Sequence, residues 1–253
     1  MYASKIFFET RVGNFGGHLR DAFSRTFERF AGTRADKQFL NDIQAVRRAV
    51  VRRKELAHES QSASICYILH EGWVCSYKRL EDGGRQVIDF RLPGDFIGLQ
   101  GLFLQASDRD IEALTDVVIS EVSKIQLIGA MRNSPGLTEA FLWSLARDEA
   151  IAAQHLVNLG RRSALVRTLH FLLELGFRLH AGDHSMPSRY ECPLSQQLWA
   201  DALGITSIHL NRILRYLREK ELLVLSGGVV EFLNRPVLTR LAGFDPSYLK
   251  ADM

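Results

Sequence analysis

No apolar run in this 253-residue chain is long enough to span a bilayer. The first stretch, MYASKIFFETRVGNFGGHLRDAFSRTF, lacks the unbroken apolar core of a signal peptide, because Arg11, Arg20 and Asp21 interrupt it. Both absences point to the cytoplasm and away from a membrane. Cysteine is scarce as well. Cys66, Cys75 and Cys192 are widely separated, odd in number, and form neither a CxxC nor a Cys/His ligand spacing. That pattern suits a reducing compartment, and no cysteine-ligated metal or iron–sulfur cluster is expected. Catalytic motifs are missing too. There is no GxSxG, HExxH or GxxxxGK[ST], and the glycine-rich GNFGG and DGG stretches lack the strand-to-helix context of a phosphate cradle. No pair of carboxylates stands out as an acid/base couple, and His155 and His170 read as packed helical residues. Nothing supports an enzyme.

What remains is an ordinary globular composition, 46% hydrophobic and 24% charged. The length suits one large domain or two modest ones. The net charge of +3 is unevenly placed. Residues 1–60 hold twelve Lys and Arg against seven Asp and Glu; residues 61–159 hold eight against thirteen; residues 160–223 hold nine against six. The basic C-terminal segment suits an anionic partner, and the acidic middle does not.

Apolar spacing divides the chain further. Leu19, Phe23, Phe27 and Phe30 share one face of a predicted helix, and Phe39, Ile43, Val46 and Val50 share a face of a second, within DKQFLNDIQAVRRAVVRRKEL. After Gln61 the pattern becomes β-branched and aromatic, with turns at Glu71-Gly72, Asp82-Gly83-Gly84 and Pro93-Gly94-Asp95. This predicts a small antiparallel barrel or roll, with TDVVISEVSKIQL adding one or two strands. From Leu137 the helical period returns and runs without a breaker through Phe141, Leu145, Ile151, Leu156 and Leu159. A helix that long is most easily buried against its own copy in a dimer. RRSALVRTLHFLLELGFRLH predicts a further helix, and AGDHSMPSRYECP a loop or short edge strand.

The stretch SQQLWADALGITSIHLNRILR then reads as two helices with a corner. Ser195 caps the first, small Ala200 permits close approach, Gly204 makes the corner, and Thr206 caps the second. Trp199, Leu203, Ile205, Leu210, Ile213, Leu214 and Leu217 form the buried row. Ser207, Ile208, His209, Asn211, Arg212 and Arg215 are left outside, a set suited to base edges and phosphates. ELLVLSGGVVEFLN follows as a two-stranded wing around Gly227-Gly228.

With these motifs the chain resembles the Crp/Fnr family of bacterial transcription regulators from about Ala35 to the end. GGRQVIDFRLPGDFIGLQGLF resembles the family's glycine-punctuated roll, LGRRSALVRTLHFLLEL its junction, LSQQLWADALGITSIHLNRILRYLREKELL its helix-turn-helix, and LAGFDPSYL its tail. The implied fold is α+β. It has an N-terminal antiparallel β-roll of double-stranded β-helix or jelly-roll type, a long dimerisation helix and a C-terminal winged helix-turn-helix. The boundaries expected are a helical extension over 1–34, the sensor roll over 35–136, the dimerisation helix over 137–160 and the DNA-binding domain over 161–253.

The resemblance implies that the second helix enters the major groove, with Arg212 at the place of a guanine-reading arginine. Thr206 and His209 match phosphate-contacting positions. Ser207, His209, Asn211 and Arg212 are the base-reading candidates, and Ser195, Gln196 and Arg215 complete the DNA-facing set. Ser207 and Ile208 stand where the cyclic-AMP receptor protein holds Arg and Glu, so a different target is expected. The ligand pocket departs further from the family pattern. Gly98, Gln100 and Arg109 are its only candidates, and Asp108 and Asp110 flank Arg109. Little or no cyclic-nucleotide binding is expected, and haem only through an unassigned histidine such as His58 or His70. The implied partners are double-stranded DNA with a near-palindromic site, a second copy of the chain, RNA polymerase and an unidentified small-molecule effector.

Overall fold

The computed structural model describes residues 22–180 and 186–250. Two short helices come first, α1 (Ala22–Phe27) and α2 (Arg34–Ile43). Eight strands follow: β1 (Arg47–Val50), β2 (Glu55–Ala57), β3 (Ile65–Glu71), β4 (Val74–Arg79), β5 (Arg85–Arg91), β6 (Phe96–Ile97), β7 (Asp110–Ala113) and β8 (Val117–Ser123). They form two antiparallel four-stranded sheets, ordered β1-β8-β3-β6 and β2-β7-β4-β5. Then come α3 (Lys124–Asn133), the 27-residue α4 (Pro135–Arg161) and α5 (Ala164–Leu179). The C-terminal unit adds β9 (Arg189–Glu191), α6 (Gln196–Leu203), α7 (Ser207–Glu219), β10 (Leu223–Ser226), β11 (Val229–Phe232) and α8 (Arg235–Ala242). The expected α+β order of roll, long helix and winged helix-turn-helix is present. Among the described residues no helix is long and apolar enough to cross a membrane.

The alternation of β3 shows how the roll is filled. Cys66 and Ile68 face outward into a cluster with residues of α1 to α4, whereas Tyr67 and Leu69 face the space between the two sheets. Val50, Leu69, Val74, Ile97, Ile111, Ala113, Val117 and Ile119 occupy that space from both sheets, all buried. A third cluster covers the other sheet and joins Cys75, Val87 and Phe90 to Phe171, Trp199 and Leu203. The C-terminal unit is therefore packed against the roll.

The second predicted helix is shorter than its apolar spacing suggests. It stops at Ile43, and Arg47–Val50 pairs antiparallel with Val117–Ser120. Val46 is 76% exposed, and Val50 is buried inside the roll as part of a strand. Pairing with β8 and burial of Val50 in the roll override the helical period. At TDVVISEVSKIQL the strand ends at Ser123 and a helix begins. Ser123 and Gln126 form a reciprocal capping box, a Ser-x-x-Gln signal readable in the sequence. Of the first predicted helix, Leu19 lies outside the described residues, while Phe23 and Phe27 are buried as expected. Their rings stack at 4.5 Å and meet Phe96 edge-on at 5.4 Å each. Phe30 lies 5.8 Å from Trp143, whose indole is met by Arg29 at 4.7 Å and by Arg147 at 5.0 Å. A Cβ at Gly136 would lie 2.2 Å from the Phe30 carbonyl oxygen, so only glycine fits where this strap crosses the start of α4.

α4 has two faces. Leu137, Phe141 and Ile151 are buried against the rest of the chain. On the opposite side Leu142, Ala146, Glu149, Ala153, Leu156 and Gly160 are all exposed, at alternating spacings of four and three. Leu142 is 55% and Leu156 73% exposed.

Candidate nucleic-acid interface

The corner forms as the residue types require. Ser195 accepts from the Leu198 amide at 3.2 Å and caps α6. Gly204 is left-handed, φ +58°, and Thr206 accepts from the His209 amide at 3.2 Å to cap α7. Trp199, Ala200, Leu203, Leu210, Ile213 and Leu217 are buried, with Ile205 and Leu214 half-buried. The wing is the hairpin β10–β11, turned by two positive-φ glycines, Gly227 and Gly228. β9 extends it to three strands by pairing with β11, so of the stretch expected to be a loop or short edge strand Arg189–Glu191 is a strand, while residues 181–185 lie outside the described residues.

The predicted DNA-facing residues lie at the start of α6 and from the cap of α7 along that helix. Ser195 and Gln196 are exposed at the N-terminal end of α6. Thr206, His209, Asn211, Arg212 and Arg215 are exposed along α7, and Ser207 is half-buried. The Ser207 hydroxyl donates to Gln197 Oε1 at 2.9 Å, which ties the starts of the two helices together. The side chains of Asn211, Arg212 and Arg215 have no hydrogen-bond or ion-pair partner among the described residues, so they are free to meet a ligand.

The sensor-side candidates are otherwise engaged. Gly98 follows β6 with φ +74°, and Gln100 Nε2 points at α4, donating to Asp148 Oδ2 at 3.2 Å. Both Arg109 donors Nε and Nη2 bond to Asp108 at 2.8 Å. His58 is exposed beside Glu55 at 3.2 Å, and His70 is buried with Nε2 2.8 Å from Ser120 Oγ. The three cysteines are buried on separate elements, and burial pushes each thiol up to about 12. Among the described residues no group of three or more His, Cys, Asp or Glu is arranged to hold a metal ion.

Sequence reasoning missed a buried charge network that joins the roll, α4 and α5. Arg178 of α5 reaches Asp89 at 3.1 Å, Asp95 at 3.0 Å and the Phe90 carbonyl oxygen at 2.6 Å. Arg91 pairs with Asp148 at 2.6 Å and Asp89 at 3.2 Å, and Arg147 pairs with Asp95. Glu174 accepts from His155 at 3.1 Å and from the Tyr248 hydroxyl at 2.8 Å. The one sequence signal was the Glu174/Arg178 spacing of four on a helix. Despite burial, the surrounding arginines hold Asp95 down at about 2, and His155 with Arg178 holds Glu174 down at about 2. Glu174 in turn lifts His155 to about 9 against the opposing effect of burial.

A pH profile of stability follows from these shifts. The two carboxylates are depressed on folding, so their contribution is complete above about 4.5 and fades as pH falls toward 2. His155 is raised, so its contribution is complete below 6.5 and fades as pH rises toward 9. Chemical denaturation between pH 6.5 and 9 should show falling stability in the wild type and a flatter profile in His155→Gln. Equal slopes would remove His155 as the source.

Comparison with known proteins is consistent with this geometry. Residues 47–134 match the cyclic nucleotide-binding domain family and residues 166–241 the Crp-like helix-turn-helix domain. The nitrogen fixation regulation protein FixK of Azorhizobium caulinodans is 33% identical over 195 residues, covering 75% of this chain and 76% of that protein. The transcriptional activatory protein AadR of Rhodopseudomonas palustris is 30% identical, covering 70% and 73%. The solved structure of FixK2 from Bradyrhizobium japonicum superposes with a TM-score of 0.70 at 29% identity, covering 78% of this chain and 96% of that one.

Proposed function

The chain belongs to the Crp/Fnr family of transcription regulators and carries that family's helix-turn-helix DNA-binding domain, and from this premise we propose that it acts as a homodimer on a near-palindromic DNA site. The observation that carries the reading is the outer face of α7, where Asn211, Arg212 and Arg215 are exposed and unpartnered beside the capped start of α6. Arg212 is the base reader, and Gln196, Thr206 and His209 set the position against the backbone. Two such helices about 34 Å apart suit half-sites one helical turn apart. Arg212→Ala should cost ~1–3 kcal/mol on the selected site and relax preference at one base pair. Unchanged specific affinity in a titration would displace α7 as the reading helix.

The seam for self-association is the exposed stripe of α4. Small Ala146, Ala153 and Gly160 recur every seven residues, as do Leu142, Glu149 and Leu156. That is the spacing of a heptad seam, with small residues that permit close approach and Glu149 as its polar position.

The roll acts without a cyclic nucleotide. Its interior is filled by Leu69, Val74, Ile97, Ile111 and their neighbours. Gln100 is turned to Asp148, and the Arg109 guanidinium is neutralised by Asp108. A thermal shift on adding cyclic AMP or cyclic GMP would contradict this; none is expected. Control then rests with another effector, with a protein partner such as RNA polymerase, or with the regulator's own abundance.

A further inference from the structure

Ser207 differs from the other outward residues of α7 because its hydroxyl proton is already committed. A hydrogen-bonded chain runs from the roll to this residue. Arg85 Nε of β5 donates to Asp201 Oδ2 at 2.8 Å. The other carboxylate oxygen, Asp201 Oδ1, accepts from Gln197 Nε2 at 2.6 Å. Gln197 Oε1 then accepts from the Ser207 hydroxyl at 2.9 Å. Each link dictates the next. An ionised carboxylate only accepts, so the Gln197 amide must present its NH2 to Asp201 and its oxygen to Ser207. A carbonyl oxygen only accepts, so Ser207 must spend its single proton on Gln197. Only the lone pairs of Ser207 Oγ then face outward.

We propose that this polarity makes Ser207 a specificity-determining residue that accepts from an amino group in the major groove. The proposal rests on α7 reading DNA. Adenine N6 and cytosine N4 are the amino donors exposed there; thymine O4 and guanine O6 and N7 are acceptors. In the major groove every base pair shows one amino group, on one strand, so Ser207 selects the strand that bears it. It prefers A or C over G or T at one position of each half-site. Arg85 fixes the Asp201 carboxylate in place, which makes the hairpin between β4 and β5 part of the specificity apparatus although it lies on the roll.

The test is competition binding to sites in which each half-site position is varied in turn, using wild-type protein, Asp201→Asn and Ser207→Ala. Wild type should favour the amino-bearing base at one position by about three- to tenfold, the worth of one net hydrogen bond. The carboxamide introduced by Asp201→Asn can offer its own NH2 to Gln197, which lets Gln197 turn and frees the Ser207 proton. The Asp201→Asn preference should therefore disappear or reverse toward G or T at that position alone, with the salt slope unchanged. Ser207→Ala, a surface truncation that does not threaten folding, should lose the same preference. A role in stability alone would lower affinity for all sites together. If both variants keep the wild-type profile, or wild type favours keto bases there, the proposal is wrong. Binding by wild type with no sequence preference anywhere would overturn the DNA-reading premise itself, and the proposal with it.

Discussion

Arg178→Ala should lower the free energy of unfolding by about 3–5 kcal/mol, the usual cost of removing one partner from a buried ion network. At this chain length, where 1 kcal/mol moves Tm by about 2 °C, that corresponds to a fall of roughly 6–10 °C, measurable by circular dichroism. The guanidinium is buried, and it neutralises Asp89 and Asp95 while capping the Phe90 carbonyl. Truncation leaves Asp89, Asp95 and Glu174 short of a partner and the Phe90 carbonyl uncapped around a cavity. Arg91 and Arg147 offset part of that charge, since they share the same aspartates. For the same reason Asp95→Asn should be strongly non-additive with Arg178→Ala in a double-mutant cycle. A loss below about 1 kcal/mol would mean that water enters and solvates the site.

Leu156→Glu is expected to have the larger functional effect. If α4 pairs in parallel with its copy along the proposed seam, position 156 faces its own counterpart, so the substitution would set two carboxylates against each other within that seam, one heptad from Glu149. The protein should sediment as a monomer. A monomer touches one half-site only, and its affinity should fall toward the non-specific level, about 10³-fold or more below that of the dimer. The folded protomer should be unaffected, because Leu156 is 73% exposed in it. Retention of a dimer mass by Leu156→Glu would place the interface elsewhere.

The helix-turn-helix was readable because each of its constraints is local. A cap, a small residue, a corner glycine and an apolar row lie within one short stretch of chain, and each has one physical meaning. The filled roll was less readable. Alternation predicted strands, but whether their inner faces meet or enclose a pocket depends on pairings such as β3 with β8 that no short segment specifies. Val50 shows the same limit, since its helical spacing yielded to pairing with the distant strand β8. The charge network was the least readable. Asp89, Asp95, Arg147 and Arg178 carry the residue types of an exposed surface, and only the packing of three separate elements makes them buried. Sequence separated Ser207 from the family pattern; its link to Gln197 and Asp201 needed the two helices in place.

The strap at the start of the chain alters what counts as the smallest unit able to fold. Family resemblance begins near residue 35 and the matched roll at residue 47, and both suggest a convenient place to cut. Yet Phe23 and Phe27 cover Phe96 and Phe141, and Phe30 lies against Trp143. A truncated protein would present those rings to water as one aromatic surface along α4. The segment outside the matched architecture is thus a lid on its core, and the boundary drawn by similarity falls inside a single packed body.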